Sequence, residues 1–154
     1  MWYLWLKLIH ILSSTILFGT GIGTACVMVY GYMTRDVHVT AAINRYVVLA
    51  DWGFTAPSAV VQIVTGFWMV YLAGYPLNSI WIMGAIIGYI IAMCCWLPVV
   101  YLQIKMRDFA VAADNSNLRL PRKYHTYFKY WFFLGWPALI SLLVVFYLMT
   151  TKPI

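Results

Sequence analysis

A chain of 154 residues that is 64% hydrophobic and only 9% charged is not a water-soluble domain closed around one core. It contains no glutamate, and its long apolar runs reach or exceed the ~20 residues that a helix needs to cross a bilayer. The formal net charge of +6 sits mostly in connecting segments, which reads as a topology signal and excludes nucleic acid as its partner.

The first apolar segment spans residues 2–33 and contains "WLKLIHILSST". It is too long for a removable signal peptide and lacks the small-residue cleavage pattern of one. As a single helix it runs on the order of 48 Å against about 30 Å of hydrocarbon, so it should project beyond the lipid on one side. Within it, Gly19 and Gly23 form a G-x-x-x-G pair. Such a pair lets helix backbones touch, and it also leaves room for a flat group.

The connection 34–45 carries Arg35 and Arg45. The second apolar segment, 46–74, includes Pro57 and Asp51, the one acid in any span. Asp51 falls at the level of Lys105 and Arg107, so an ion pair tying the second and third spans is expected. The functional alternative is an acid serving a proton relay or a quinone site.

An uncharged turn, "GYPLNS" (74–79), leads to the third segment, 79–104, with Gly84, Gly88 and Pro98. Five bases follow in 105–125, namely Lys105, Arg107, Arg119, Arg122 and Lys123, before the fourth segment, 126–150, with Pro137. The positive-inside rule places the two basic connections in the cytoplasm and both termini in the periplasm. The expected architecture is all-α: one polytopic domain over 1–154, four helices in an up-down bundle, in a bacterial inner membrane.

His10 lies roughly 13 Å below the outer surface, where an ionisable group needs a partner. One use is a hydrogen bond to a neighbouring helix, with Ser13, Ser14, Thr15 or Ser141 at hand. The other is metal ligation, because a neutral imidazole is a good ligand and bundle cores hold porphyrins. On that reading Lys7, one turn shallower, meets a propionate, and Gly19, Gly23 and Gly88 give the ring room. Met69 and Met83 are the nearest second ligands, although about one turn too shallow.

His38 and His125 lie near the opposite membrane face and cannot share an iron with His10. A zinc site is disfavoured because no carboxylate lies near His10. Cys26, Cys94 and Cys95 have no C-x-x-C spacing and read as packing residues. The methionines form no ladder of the kind a copper path would want.

The stretches "LKLIHI", "VLADWGFTAPSAVVQIVTG", "CCWLPVVYLQIKMRD" and "FFLGWPA" resemble, over nearly the whole chain, a bacterial integral-membrane family, domain of unknown function 2269. More distantly, the chain is similar to HemJ-type protoporphyrinogen oxidases and CopD-like membrane proteins. In the HemJ-like group, an L-K-x-x-H-I pattern carries a haem-ligating histidine, a role the resemblance gives to His10. The lysine that supplies that group's second axial position has no counterpart here at the right depth.

The expectation is therefore a membrane protein holding haem b through His10 and transferring single electrons, with quinone as a candidate partner. It would act as a homo-oligomer or as a subunit of a respiratory or haem-handling complex. The alternatives are a non-catalytic accessory subunit and a copper-handling protein.

Overall fold

The structure is a computed structural model that describes residues 1–152. Its helices are α1 (Trp2–Thr34), α2 (Val37–Ala50), α3 (Ala56–Ala73), α4 (Ile80–Asn115) and α5 (Arg122–Thr151). A five-residue π-turn, Asp51–Thr55, joins α2 to α3, so that Val37–Ala73 forms one continuous rod. The described chain thus contains four rods, each long and apolar enough to cross a membrane. The all-α, four-span expectation holds.

The rods outlast their apolar runs at the basic end. Residues 37–45, expected as a connection, are the first turns of α2, and the break shrinks to Arg35 and Asp36. Asp36 is the cause: its carboxylate accepts from the N–H of His38 at 2.8 Å and of Val39 at 3.2 Å, which caps the helix. Arg35 makes the reversal in the left-handed region, at φ 57°. Likewise α4 continues through Lys105, Arg107 and Asp108 to Asn115. At the other end, Gly74 closes α3 at φ 67°, a backbone conformation that suits glycine.

Packing is tightest at the basic end. Met28, Val47, Val99, Met106, Tyr124 and Trp131 belong to a single buried cluster drawn from α1, α2, α4 and α5. Inside it the Asn44 amide donates to the Tyr124 hydroxyl at 3.0 Å and to the Thr40 carbonyl at 2.8 Å. Towards the uncharged turn the rods separate into two pairs, α1 with α3 and α4 with α5. Many large apolar side chains face outward along the rods, Ile63, Phe67, Ile90, Leu97 and Ile140 among them, as lipid contact requires.

Gly84 and Gly88 make the α4–α5 seam. A Cβ on Gly84 would lie 2.8 Å from Leu148 Cδ1, and one on Gly88 would lie 2.7 Å from Val145 Cγ2. The Ser141 hydroxyl adds a bond to the Gly88 carbonyl at 2.6 Å. Substitution of Gly88 by valine should therefore force α5 away and lower stability by about 1–3 kcal/mol, read as thermal unfolding in detergent. Adding Val145→Ala to Gly88→Val should restore part of the loss.

Candidate functional site

His10 is half-buried on α1 and faces α3. Its Nδ1 lies 2.8 Å from Thr65 Oγ1. The Thr65 hydroxyl donates its single proton to the Val61 carbonyl at 2.6 Å, so towards His10 it accepts. That fixes the tautomer: Nδ1 carries the proton, and Nε2 carries the free lone pair.

The surrounding residues hold this arrangement in place. Gln62, Thr65 and Gly66 fall at i, i+3 and i+4 on α3, and so form a strip along one helix face. Gln62 Nε2 donates to the His10 carbonyl at 2.7 Å and to Ser13 Oγ at 3.0 Å, while Ser13 donates to the same carbonyl at 3.0 Å. Gly66 lets the imidazole approach the α3 backbone, since a Cβ there would lie 3.4 Å from His10 Cε1.

Of the hydroxyls expected to partner the imidazole, none does so. Ser14 and Thr15 bond back to the Ile11 carbonyl, and Ser141 serves the α4–α5 seam. Thr65 takes the role instead. Its signal is the Gln62–Thr65 spacing in "VVQIVTG", which puts two polar side chains on one face of an otherwise apolar helix.

The other residues expected around a cofactor divide. Lys7 is exposed about one turn outward of His10. Met69 lies four residues beyond Thr65, on the same strip of α3. Gly19 and Gly23 do not join them: at about 100° per residue they fall on the far side of α1, with open space beside them. Gly88 is closed in against α5, and Met83 is exposed on α4. By helix position Lys7 shares the His10 side of α1 and Met69 the Thr65 strip of α3, whereas Gly19, Gly23, Gly88 and Met83 lie elsewhere.

His38 Nδ1 lies 3.1 Å from an Asp114 carboxylate oxygen, and His125 Nδ1 lies 3.1 Å from the Tyr32 hydroxyl. The three histidines therefore serve three separate contacts, and no cluster of three or more His, Cys, Asp or Glu occurs among the described residues.

The expected ion pair of Asp51 with Lys105 or Arg107 is corrected by the structure. Arg107 pairs with Asp108 at 2.8 Å, and Lys105 lies over the Tyr101 ring. Asp51 is instead buried, accepting from the Thr55 hydroxyl at 3.0 Å. The local backbone explains this. Pro57 has no N–H, and its ring would press on the Gly53 carbonyl in a regular helix. The chain widens by one residue there, with the Ala56 N–H reaching the Asp51 carbonyl, and the wider turn redirects Asp51.

Residues 4–153 match the family model described as "Predicted integral membrane protein (DUF2269)". No curated protein and no solved structure matches the chain. With nearly its whole length matched, the chain belongs to that integral membrane family.

Loss of the α3 acceptor tests the seam directly. Thr65→Val should leave the His10 Nδ1–H unpaired and lower stability by about 1–3 kcal/mol in detergent unfolding, whereas Thr65→Ser should stay near the parent.

Proposed function

We propose that this member of the integral membrane family is a b-type haem-binding protein of the bacterial inner membrane, with His10 as an axial ligand. The observation that carries the reading is the bond from His10 Nδ1 to Thr65, which leaves Nε2 free to coordinate. Metal-bound histidines characteristically donate their other nitrogen in this way, so that ring orientation is set before the metal arrives.

The donor set fits one axial position. His10 would hold the iron and Thr65 would orient the imidazole, with Gly66 keeping the ring against α3. Lys7 is exposed one turn away, where a cation would meet a propionate. Met69 is the second-ligand candidate that shares the Thr65 strip. When bound, haem supplies one-electron transfer, with quinone as the proposed exchange partner.

Both termini are proposed to lie on the periplasmic side. An even number of spans puts them together, and Arg35, Arg45, Lys105, Arg107, Arg119, Arg122 and Lys123 gather towards the opposite end.

A second reading has its own support. Gly19 and Gly23 form an exposed ridge on α1 with nothing packed upon it, a surface suited to a helix of another subunit. On that reading the protein is an accessory subunit of a membrane complex.

Absorption spectroscopy separates the two. Protein purified from haem-replete cells should show a Soret band that His10→Ala abolishes, while Thr65→Val should keep the band but shift the midpoint potential. A colourless protein that co-purifies with a stoichiometric partner would replace the first reading with the second.

A further inference from the structure

A cavity of about 540 Å³ lies between α1, α4 and α5, and His10 is not among the residues that line it. Phe18 meets Phe146 edge-on at 5.3 Å at one end, and Tyr32 stacks on Phe128 at 3.9 Å beyond the other. Between these contacts α1 and α5 part. The back wall is α4 from Ala92 to Gln103, about 17 Å at the helical rise. That is close to the hydrocarbon depth of a single leaflet, about 15 Å. Cys26, Tyr30 and Met33 of α1, with Phe132 and Trp136 of α5, line the cavity yet are exposed. They mark a mouth that opens sideways, into lipid in a membrane-spanning bundle. Gly21 of α1 and Gly135 of α5 also line it, and a Cβ on either would have nothing within 4 Å.

The walls offer an occupant no polar group. The Thr24 hydroxyl bonds to the Thr20 carbonyl at 2.8 Å, and the side chains of Thr55 and Gln103 hold Asp51. Gln103 Oε1 and Trp131 Nε1 are buried beneath the lining. Such a surface suits saturated hydrocarbon.

The surroundings of the mouth say what the hydrocarbon is attached to. Tyr30, Trp52, Tyr101 and Tyr130 are exposed, one on each rod. The Tyr32–Phe128 stack and the Asp51–Gln103 contact put these four on a common level. Exposed tyrosine and tryptophan collect where membrane meets water, so this belt marks the lipid boundary nearest the basic end. Through Tyr30 the mouth lies on that boundary. Exposed Lys129 shares the strip of α5 that carries Phe132 and Trp136, at i, i+3 and i+7, and Arg35 stands two residues past Met33. Ion pairs among the described residues join His38 to Asp114 and Arg107 to Asp108, so neither of these two cations has a carboxylate partner.

We propose that the cavity seats an acyl chain of an anionic phospholipid from the leaflet nearest the basic end, with Lys129 and Arg35 at its head group. A hydrocarbon chain asks for no hydrogen bond, and a head with net negative charge meets two unpaired bases. The Phe18–Phe146 contact closes the far end, which shuts out chains of the opposite leaflet. A cationic amphiphile is repelled at the mouth, and a free phosphate finds nothing to hold it inside. The site shares no residue with the His10 seam, so it stands or falls independently of haem.

The test uses the full chain, delipidated in detergent and titrated with dioleoyl phosphatidylglycerol or dioleoyl phosphatidylcholine under native mass spectrometry. Retention of phosphatidylglycerol near one per chain is expected. Phosphatidylcholine, with the same chains and no net charge, should be held at least about fivefold more weakly. Lys129→Gln should weaken phosphatidylglycerol about fivefold and leave phosphatidylcholine unchanged. Gly21→Phe and Gly135→Phe, each placing a ring where there is open space, should remove the retained lipid whatever its head. Equal retention of the two lipids, or of neither, would overturn the proposal, because the bases would then select no head group. Full retention by both glycine variants would overturn it too, since the lipid would then lie on the outside of the bundle. The first comparison needs no substitution, so it decides even where a variant fails to fold.

Discussion

Hydrocarbon offers no hydrogen bonds, and a polar atom placed in it must find a partner within the protein. That constraint organises the bundle more than hydrophobic burial does, because lipid tails are as apolar as leucine and give helices little reason to associate. The helix pairs are joined by polar contacts placed where backbones come close. Gln62 and Thr65 reach His10 and Ser13 beside Gly66. Ser141 reaches the Gly88 carbonyl, the Tyr89 hydroxyl reaches the Ala59 carbonyl, and Asn44 reaches Tyr124. Two of these contacts stand beside a glycine that admits the approach.

The same constraint gives meaning to the exceptions. Asn44 Oδ1, Gln103 Oε1 and Trp131 Nε1 are buried without a close hydrogen-bond partner, while the buried Asp51 carboxyl is held by the side chains of Thr55 and Gln103. The π-turn is the device that creates this situation. A regular helix through "DWGFTAP" would keep Asp51 on a different face, whereas the extra residue required by Pro57 swings it inward. Such π-bulges recur at functional sites because they hold a side chain where the regular helix would not.

Much of this is legible in the sequence. Apolar run length yields the four spans, the charge pattern marks one end as basic, and the Gly84–Gly88 pair announces a packing seam. Depth reckoning isolates His10 from His38 and His125. Rotation about each helix axis is what stays hidden. Gly19 and Gly23 share α1 with His10, yet they face the opposite way, and a count of depth alone cannot see that. Asp51 escapes for a related reason: level with two cations is not the same as facing them. The basic ends read as loops because their charge stands out more than the Asp36 cap that starts α2 early.

The two sites answer to different parts of the architecture. The His10 seam belongs to the α1–α3 pair, while the cavity opens where α1 parts from α5 over the α4 wall. Helix α1 is therefore shared, with its first turns committed to the seam and its later turns lining the cavity through Phe18, Gly21, Ala25 and Val29. Tyr32, one turn beyond Met28, holds α1 to α5 through Phe128 and His125 at the basic end. A change in how α1 is seated would consequently be felt at both places.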